Sequence, residues 1–208
     1  MMKIESNKLF QRIIEDLRNG CEVIIICFGD SITAGYGVPR GFPHYWKEMV
    51  EGNYPDARIE IINSGISGDT TMDGLARLDS DVLSYDPDLV TVNFGINDAA
   101  MGLDIEEFKK NQEQIVSRIL KGSGSEVLLL SSQPLESPYY DRLVIRYYRA
   151  IAEVAKKMNV GFLNICEAWV KRTQQGIQLS SLILPGLDHP NEEGYKIMAE
   201  ELMKLFQE

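Results

Sequence analysis

The sequence has little of the chemistry that metal centres and disulfide frameworks need. Its 208 residues include two histidines and three cysteines, Cys21, Cys27 and Cys166. The cysteines are odd in number and lack metal-ligand spacing, so we expect reduced, buried thiols and no metal site. Because the chain has only two histidines, few side chains are candidates for a catalytic base.

Positive charge and long apolar runs are also scarce. The chain has 21 Lys and Arg residues against 31 Asp and Glu residues, a formal net charge of −10. The cations are scattered, so neither a nucleic-acid backbone nor an anionic membrane surface is an expected partner. No apolar run reaches bilayer length, and the N-terminal residues lack the apolar core of a signal peptide. These features favour a cytoplasmic protein without integral membrane association.

What is present is a regular alternation of helical and strand patterns without a linker or repeat. This alternation is typical of a doubly wound parallel sheet with helices on both faces. The sequence predicts one domain over residues 1–208, with a flavodoxin-like three-layer α/β/α fold, about five strands and the strand order 2-1-3-4-5. In chain order we predict a helix at about 5–19, a strand before residue 31, a helix around 45–50, a strand at 58–63, a helix at 71–83, a strand at 89–94, a helix at 104–121, a strand at 127–130, a helix at 139–158, a strand at 160–164, a buried loop at 172–188 and a helix at 191–206.

An apolar strand that stops at a Gly-Asp-Ser corner is the most informative feature. The run from Ile24 to Phe28 indicates a buried parallel strand, and Gly29 permits a sharp bend after it. Ser31 would then lie at the carboxyl edge of the sheet, where ligands bind in such folds, and could act as a nucleophile beside a base. A turn with a capping serine is the alternative.

Two more polar corners follow the next strands, one around Ser67-Gly68-Asp69 and one at Gly95-Ile96-Asn97-Asp98. In the predicted strand order both corners face Ser31 across a small cleft. Of the histidines, His44 stands in an aromatic-rich helix start, which favours packing or capping. His189 precedes the last helix at the same edge and is the better candidate base, although an exposed histidine at a capped helix entry fits the same pattern.

Taken together, these blocks resemble the GDSL or SGNH hydrolases, serine esterases and lipases with a flavodoxin-like fold. The similarity is closest to the bacterial multifunctional branch, whose members act as thioesterases, esterases and lysophospholipases; other members are carbohydrate acetylesterases. The matching blocks are Phe28-Gly29-Asp30-Ser31-Ile32-Thr33-Ala34-Gly35-Tyr36-Gly37, Asn63-Ser64-Gly65-Ile66-Ser67-Gly68-Asp69-Thr70-Thr71 with Gly74-Leu75-Ala76-Arg77-Leu78, Phe94-Gly95-Ile96-Asn97-Asp98, and His189-Pro190-Asn191 with Gly194-Tyr195.

The resemblance implies hydrolysis of small-molecule carboxylic esters or thioesters without a cofactor. Ser31 would attack the carbonyl and His189 would take its proton. The oxyanion would be held by the N–H groups of Ser31 and Gly68 and by the side-chain amide of Asn97. The rivals are a non-catalytic or altered member of the fold that binds an acyl or sugar ligand, and a nucleotide- or flavin-binding protein. The glycines lack dinucleotide spacing, which disfavours the last.

The chain departs from the family pattern at two positions. The family usually carries an aspartate three residues before the catalytic histidine, where this chain has Gly186. Either Asp188 reaches the imidazole through an unusual turn or a backbone carbonyl orients the ring; we predict Asp188. Ile96 stands where many members have a second glycine and should narrow the acyl pocket.

We assign Ile96 and Asp30 to substrate binding, and expect Asp30 and Asp69 to bond neighbouring backbone rather than to react. A glycosidase pair of carboxylates is disfavoured, because nothing indicates a raised pKa. Candidate walls of an acyl tunnel, which also fit an ordinary core, are Leu135, Tyr139, Tyr140, Leu182, Ile183 and Leu184.

Overall fold

The computed structural model describes residues 10–207 and contains a five-stranded parallel sheet between layers of helices. In chain order the elements are α1 (Gln11–Arg18), β1 (Glu22–Gly29), α2 (Ser31–Ala34), α3 (Phe42–Asn53), β2 (Arg58–Gly65), α4 (Thr71–Asp81), β3 (Leu89–Asn93), α5 (Ile96–Ala100), α6 (Ile105–Gly122), β4 (Glu126–Leu130), α7 (Pro138–Met158), β5 (Gly161–Leu163), α8 (Ile165–Gln174) and α9 (Glu192–Met203), with 3₁₀ turns at Leu83–Tyr85, Leu179–Ser181 and Lys204–Phe206.

The strand order is β2-β1-β3-β4-β5, and every neighbouring pair is parallel. The predicted flavodoxin-like fold class and strand order are therefore confirmed. Gly29 at the end of β1 pairs with Gly65 of β2 on one side and with Asn93 of β3 on the other. Because the three strands end at the same level, their following corners open at one edge of the sheet.

Both faces of the sheet are buried, as expected for parallel strands between helices. Ile25 and Cys27 of β1 pack into one apolar cluster with α3 and α9, whereas Ile26 and Phe28 pack into a second cluster with α4, α6 and α7. Alternate side chains of a strand point to opposite faces. The apolar run of β1 thus supplies the core on both sides and fixes the central position of the strand that carries Ser31.

Several predicted details need correction. The first helix begins at Gln11 within the described residues, and the predicted part from 5 to 9 lies outside them. The sequence did not predict the short helices α2 and α5, because single-turn helices have no hydrophobic period to detect, and it did not predict α8.

The predicted burial also needs correction at two places. In the predicted buried loop, Leu182 and Ile183 are buried, but Leu187 is 45% exposed. Cys21 is exposed, whereas Cys27 and Cys166 are buried.

Across residues 10–207, no helix is both long and apolar enough to cross a membrane. The same residues contain no group of three or more His, Cys, Asp or Glu side chains that could hold a metal ion.

Candidate active site

Ser31 is the first residue of α2, immediately after the bend that ends β1. A side chain at Gly29 would place its Cβ 2.5 Å from the Asn93 carbonyl oxygen, so only glycine fits this bend. The Asp30 carboxylate caps α2 by accepting the Ile32 N–H at 2.9 Å. This capped turn holds the Ser31 hydroxyl at the carboxyl edge of the sheet.

The structure brings Ser31 and His189 together although 158 residues separate them. The Ser31 Oγ lies 2.8 Å from the His189 Nε2. His189 is held by the turn before α9, where the Leu184 N–H donates to its carbonyl at 2.8 Å and Asn191 caps α9 through the Gly194 N–H. A hydroxyl beside an imidazole nitrogen is the pairing that activates a serine nucleophile.

The other ring nitrogen of His189 settles the tautomer. Its Nδ1 is hydrogen-bonded to the backbone carbonyl of Leu187. A carbonyl can only accept, so Nδ1 carries the proton and Nε2 is left as the acceptor that faces the Ser31 hydroxyl. This is the tautomer that a general base needs.

The prediction that Asp188 orients His189 needs correction. The Asp188 carboxylate accepts the Glu136 N–H at 3.0 Å, and its carbonyl accepts from the Gln133 amide at 2.8 Å. Adjacent side chains diverge, and Asp188 has a left-handed backbone with φ of 50°. That turn brings the Leu187 carbonyl to the imidazole and points the carboxylate towards the loop after β4.

Two of the predicted oxyanion donors, Ser31 and Asn97, line the same pocket, and Gly68 lies in the loop that Asn97 contacts. Gly68 is exposed and has φ of 90°, a conformation that favours glycine, and a Cβ built on it meets no atom within 4 Å. Within the described residues, no hydrogen bond of the Ser31 or Gly68 N–H is found. Asn97, at the start of α5, donates one amide hydrogen to the Asp69 carbonyl at 2.8 Å. Its second amide hydrogen is available to a ligand in the same pocket.

A buried contact fixes the helix that carries Asn97. The carboxylate of Asp98 accepts both the N–H and the hydroxyl of Thr71 at the start of α4, and Asn111 of α6 donates to the same hydroxyl at 3.1 Å. Burial raises the pKa of Asp98. The sequence pattern places Asp98 only in a polar corner, because its partner Thr71 stands 27 positions earlier in the chain.

The assignment of Asp30 to substrate binding is also corrected. Asp30 is 1% exposed and points beneath the site, where it caps α2. Burial raises its pKa to about 7. The prediction that Asp69 bonds neighbouring backbone also needs correction: its carboxylate accepts from the Arg77 side chain at 2.7 Å.

A pocket of about 190 Å³ opens beside the Ser31 hydroxyl, and its walls are mostly apolar. Ile96 lines it, as predicted. Of the six candidate walls of an acyl tunnel, Leu135 and Tyr140 contribute, whereas the other four do not. The full lining is Ser31, Ile32, Ile96, Asn97, Ala100, Leu135, Tyr140, Leu143, Val144, Leu187, Asp188 and His189.

The second histidine, His44, lies away from this pocket. It is exposed on α3, and its Nε2 is 3.1 Å from the Glu48 carboxylate.

The fold and the site define a class: α/β/α hydrolases in which a serine and a histidine meet at the carboxyl edge of a parallel sheet. The chain belongs to the GDSL-like lipase/acylhydrolase family, whose model matches residues 27–197. It is therefore a hydrolase of ester bonds, and the resemblance seen in the sequence is confirmed.

Curated relatives and a solved structure agree with this family. The chain is 32% identical over 137 residues to the arylesterase of Vibrio mimicus, an alignment that covers 62% of this chain and 65% of that enzyme, just under two thirds of it. It is 26% identical to thioesterase 1/protease 1/lysophospholipase L1 of Escherichia coli strain K12, over 88% of this chain and 83% of that one. The acetylxylan esterase Axe2 of Geobacillus stearothermophilus shares the fold, with a TM-score of 0.77 and 23% identity over 89% of this chain and 94% of its own.

Proposed function

We propose that this protein hydrolyses short-chain carboxylic esters or thioesters through a Ser31–His189 dyad. The observation that carries the proposal is the 2.8 Å contact between the Ser31 hydroxyl and the His189 Nε2, at the mouth of an apolar pocket. The Leu187 carbonyl and the Nδ1 proton support the base role, because together they leave Nε2 unprotonated.

The proposed reaction has two halves. Ser31 Oγ bonds to the ester carbonyl carbon while its proton passes to His189 Nε2, and the carbonyl oxygen becomes an oxyanion held by the Ser31 and Gly68 N–H groups and the Asn97 amide. The intermediate collapses as His189 returns the proton to the leaving alcohol or thiol. Water then attacks the acyl-enzyme by the same route, which releases the acid and restores Ser31.

The direct test uses two reagents that need no knowledge of the natural substrate. The purified chain should hydrolyse p-nitrophenyl acetate and should be labelled once by a fluorophosphonate probe. Peptide mapping should place the label on Ser31. Binding of acyl or sugar ligands without turnover or labelling would favour the altered, non-catalytic member instead.

Asp188→Asn is expected to lower kcat/KM less than about tenfold, because a carbonyl and not this carboxylate accepts the Nδ1 proton. Loss of a carboxylate that orients the base costs about 10⁴-fold in kcat. His189→Ala should remove nearly all activity on the same esters. Steady-state kinetics of both variants decide between the two arrangements: a loss of 10³-fold or more in Asp188→Asn would restore Asp188 as the third member of a triad.

The volume of the pocket fits a short acyl group of the substrate. A cavity of about 150 Å³ binds a ligand of the size of benzene, so about 190 Å³ accepts a chain of roughly six carbons or fewer. The Ile96 side chain forms part of the pocket wall. The apolar lining of the pocket favours an alkyl group over a polar one.

Ile96→Ala is expected to shift the preferred acyl length upward, because truncation removes part of the pocket wall. Each additional buried methylene contributes about 0.8 kcal/mol, close to a fourfold change in kcat/KM. A series of p-nitrophenyl esters from acetyl to decanoyl measures the shift. Leu120→Ala, at an exposed position of α6, serves as the control, and an unchanged optimum in Ile96→Ala would show that Ile96 does not limit chain length.

Two broader predictions from the sequence belong to the same proposal. We propose that residues 1–208 form one domain and that the protein acts in the cytoplasm on a small-molecule ester. The continuous five-stranded sheet supports the first, and the excess of acidic residues fits a partner that is not an anionic polymer.

A further inference from the structure

Arg77 of α4 extends beneath the site and is hydrogen-bonded to several segments of its edge. Its Nε donates to the Asp69 carboxylate at 2.7 Å, its Nη2 to the Gly29 carbonyl at 2.9 Å, and its Nη1 to the Ser64 carbonyl at 2.9 Å and the Asp81 carboxylate at 3.0 Å. The side chain is 13% exposed. All three guanidinium nitrogens therefore donate.

Three of these partners belong to the chain segments that carry the proposed backbone donors. Gly29 stands two residues before Ser31, and Asp69 directly follows Gly68. Ser64 lies near the end of β2, where the loop to Gly68 begins. One planar group thus joins the end of β1, the end of β2 and the loop between β2 and α4.

The Arg77 guanidinium also lies over a buried aromatic ring. Its central carbon is 4.5 Å from the centre of the Phe28 ring, and Phe28 packs edge-on against Phe94 in the core. The N–H directions of a guanidinium are rigid, so a group that rests over a buried ring and donates through all three nitrogens restricts the positions of its acceptors.

The loop that bears Gly68 has few other supports. A Cβ at Gly68 would meet nothing, and the loop is otherwise held by the Ile66 N–H on the Gly29 carbonyl at 3.0 Å, by the Asp69 N–H on the Ile66 carbonyl at 3.3 Å and by Asn97 on the Asp69 carbonyl. Arg77 supplies the ionic contact in this set. Removal of the guanidinium would leave the loop held by hydrogen bonds between neutral groups alone.

We propose that Arg77 is a positioning residue that sets the separation of the Ser31 and Gly68 N–H groups and so preorganises the oxyanion hole. The inference rests on the proposed function. Oxyanion donors act through geometry fixed before the reaction, and a displacement of about 1 Å can cost 10²-fold in rate. Arg77 does not line the pocket, so we expect its effect to fall on the transition state and not on substrate affinity.

Arg77→Lys is expected to lower kcat for p-nitrophenyl acetate about 10- to 100-fold with KM changed less than about threefold, since one ammonium cannot replace the fork of donors. Fluorophosphonate labelling of Ser31 should slow by a similar factor. The matched control is Arg118→Lys, because Arg118 also bonds α4, through the Leu75 carbonyl and the Asp79 carboxylate, but at a distance from the donor loop. The control should stay within about threefold of wild type.

A second pair of variants keeps the test decisive if Arg77→Lys does not fold. Asp69→Asn breaks the ion pair beside Gly68, whereas Asp81→Asn breaks the ion pair within α4; the first should lower kcat and the second should not. Three outcomes would overturn the positioning role. The first is an unchanged kcat in Arg77→Lys, and the second is a change confined to KM in that variant. The third is an equal loss of kcat in Asp69→Asn and Asp81→Asn. Failure of the wild-type chain itself to label or turn over would instead refute the proposed function.

Discussion

Ser31→Ala is expected to abolish turnover of p-nitrophenyl esters and fluorophosphonate labelling while the protein stays folded. In the proposed reaction the hydroxyl oxygen bonds to the acyl carbon, and among the described residues no other serine is hydrogen-bonded to the His189 ring. The loss should reach at least about 10⁴-fold, leaving only the rate enhancement that binding and the oxyanion donors provide. Initial rates and a thermal melt of the variant measure both parts of the prediction.

The matched control is Ser67→Ala, an exposed serine in the neighbouring loop at the same edge of the sheet. It should retain activity within a few-fold of wild type. Activity of Ser31→Ala within a few-fold of wild type would refute the assignment of the nucleophile, and an equal loss in Ser67→Ala would indicate damage to the edge as a whole.

Asn97→Ala is expected to lower kcat by about 10² to 10³ with little change in KM, the usual cost of one oxyanion donor. The amide also donates to the Asp69 carbonyl, so its removal loosens the Gly68 loop as well as deleting a donor. Steady-state kinetics over a range of ester concentrations separate the two constants, and a rise in KM alone would make Asn97 a ground-state binding group.

Asn63→Ala provides the comparison for Asn97. Asn63 lies at the same edge, where its side chain accepts the Gly65 N–H at 3.0 Å, but it does not line the pocket. The Asn63→Ala variant should therefore keep its kcat within a few-fold of wild type. A similar kcat loss in both variants would show that loop order, and not the Asn97 donor, limits the rate.

The sequence was sufficient for the sheet and for the meeting of Ser31 with His189. Buried parallel strands produce continuous apolar runs, and the carboxyl ends of such strands share one edge, so residues that follow them converge without any knowledge of side-chain contacts. The glycines at 29 and 68 marked the bends for the same reason, since each allows a backbone conformation or close approach that a side chain prevents.

The contacts of Asp188 and Arg77 could not be predicted in this way. Asp188 is adjacent to His189 in sequence, yet its left-handed backbone turns its carboxylate to the N–H of Glu136, 52 positions earlier. Arg77 meets the Gly29 carbonyl across 48 positions. Sequence periodicity indicates which face of an element is buried, but it carries no information on which backbone carbonyl a long side chain reaches.

Asp30, the buried cap of the helix that begins at Ser31, couples folding to proton uptake. Since burial raises the pKa of Asp30 to about 7 in the folded protein from an ordinary 3.8, the folded chain binds a proton that the unfolded chain releases at mildly acidic pH. The contribution of this carboxyl to stability is fully present below pH about 3.8 and is lost as the pH rises through about 7. Asp30 therefore opposes the usual course of acid unfolding, because protonation removes the cost of burying its charge.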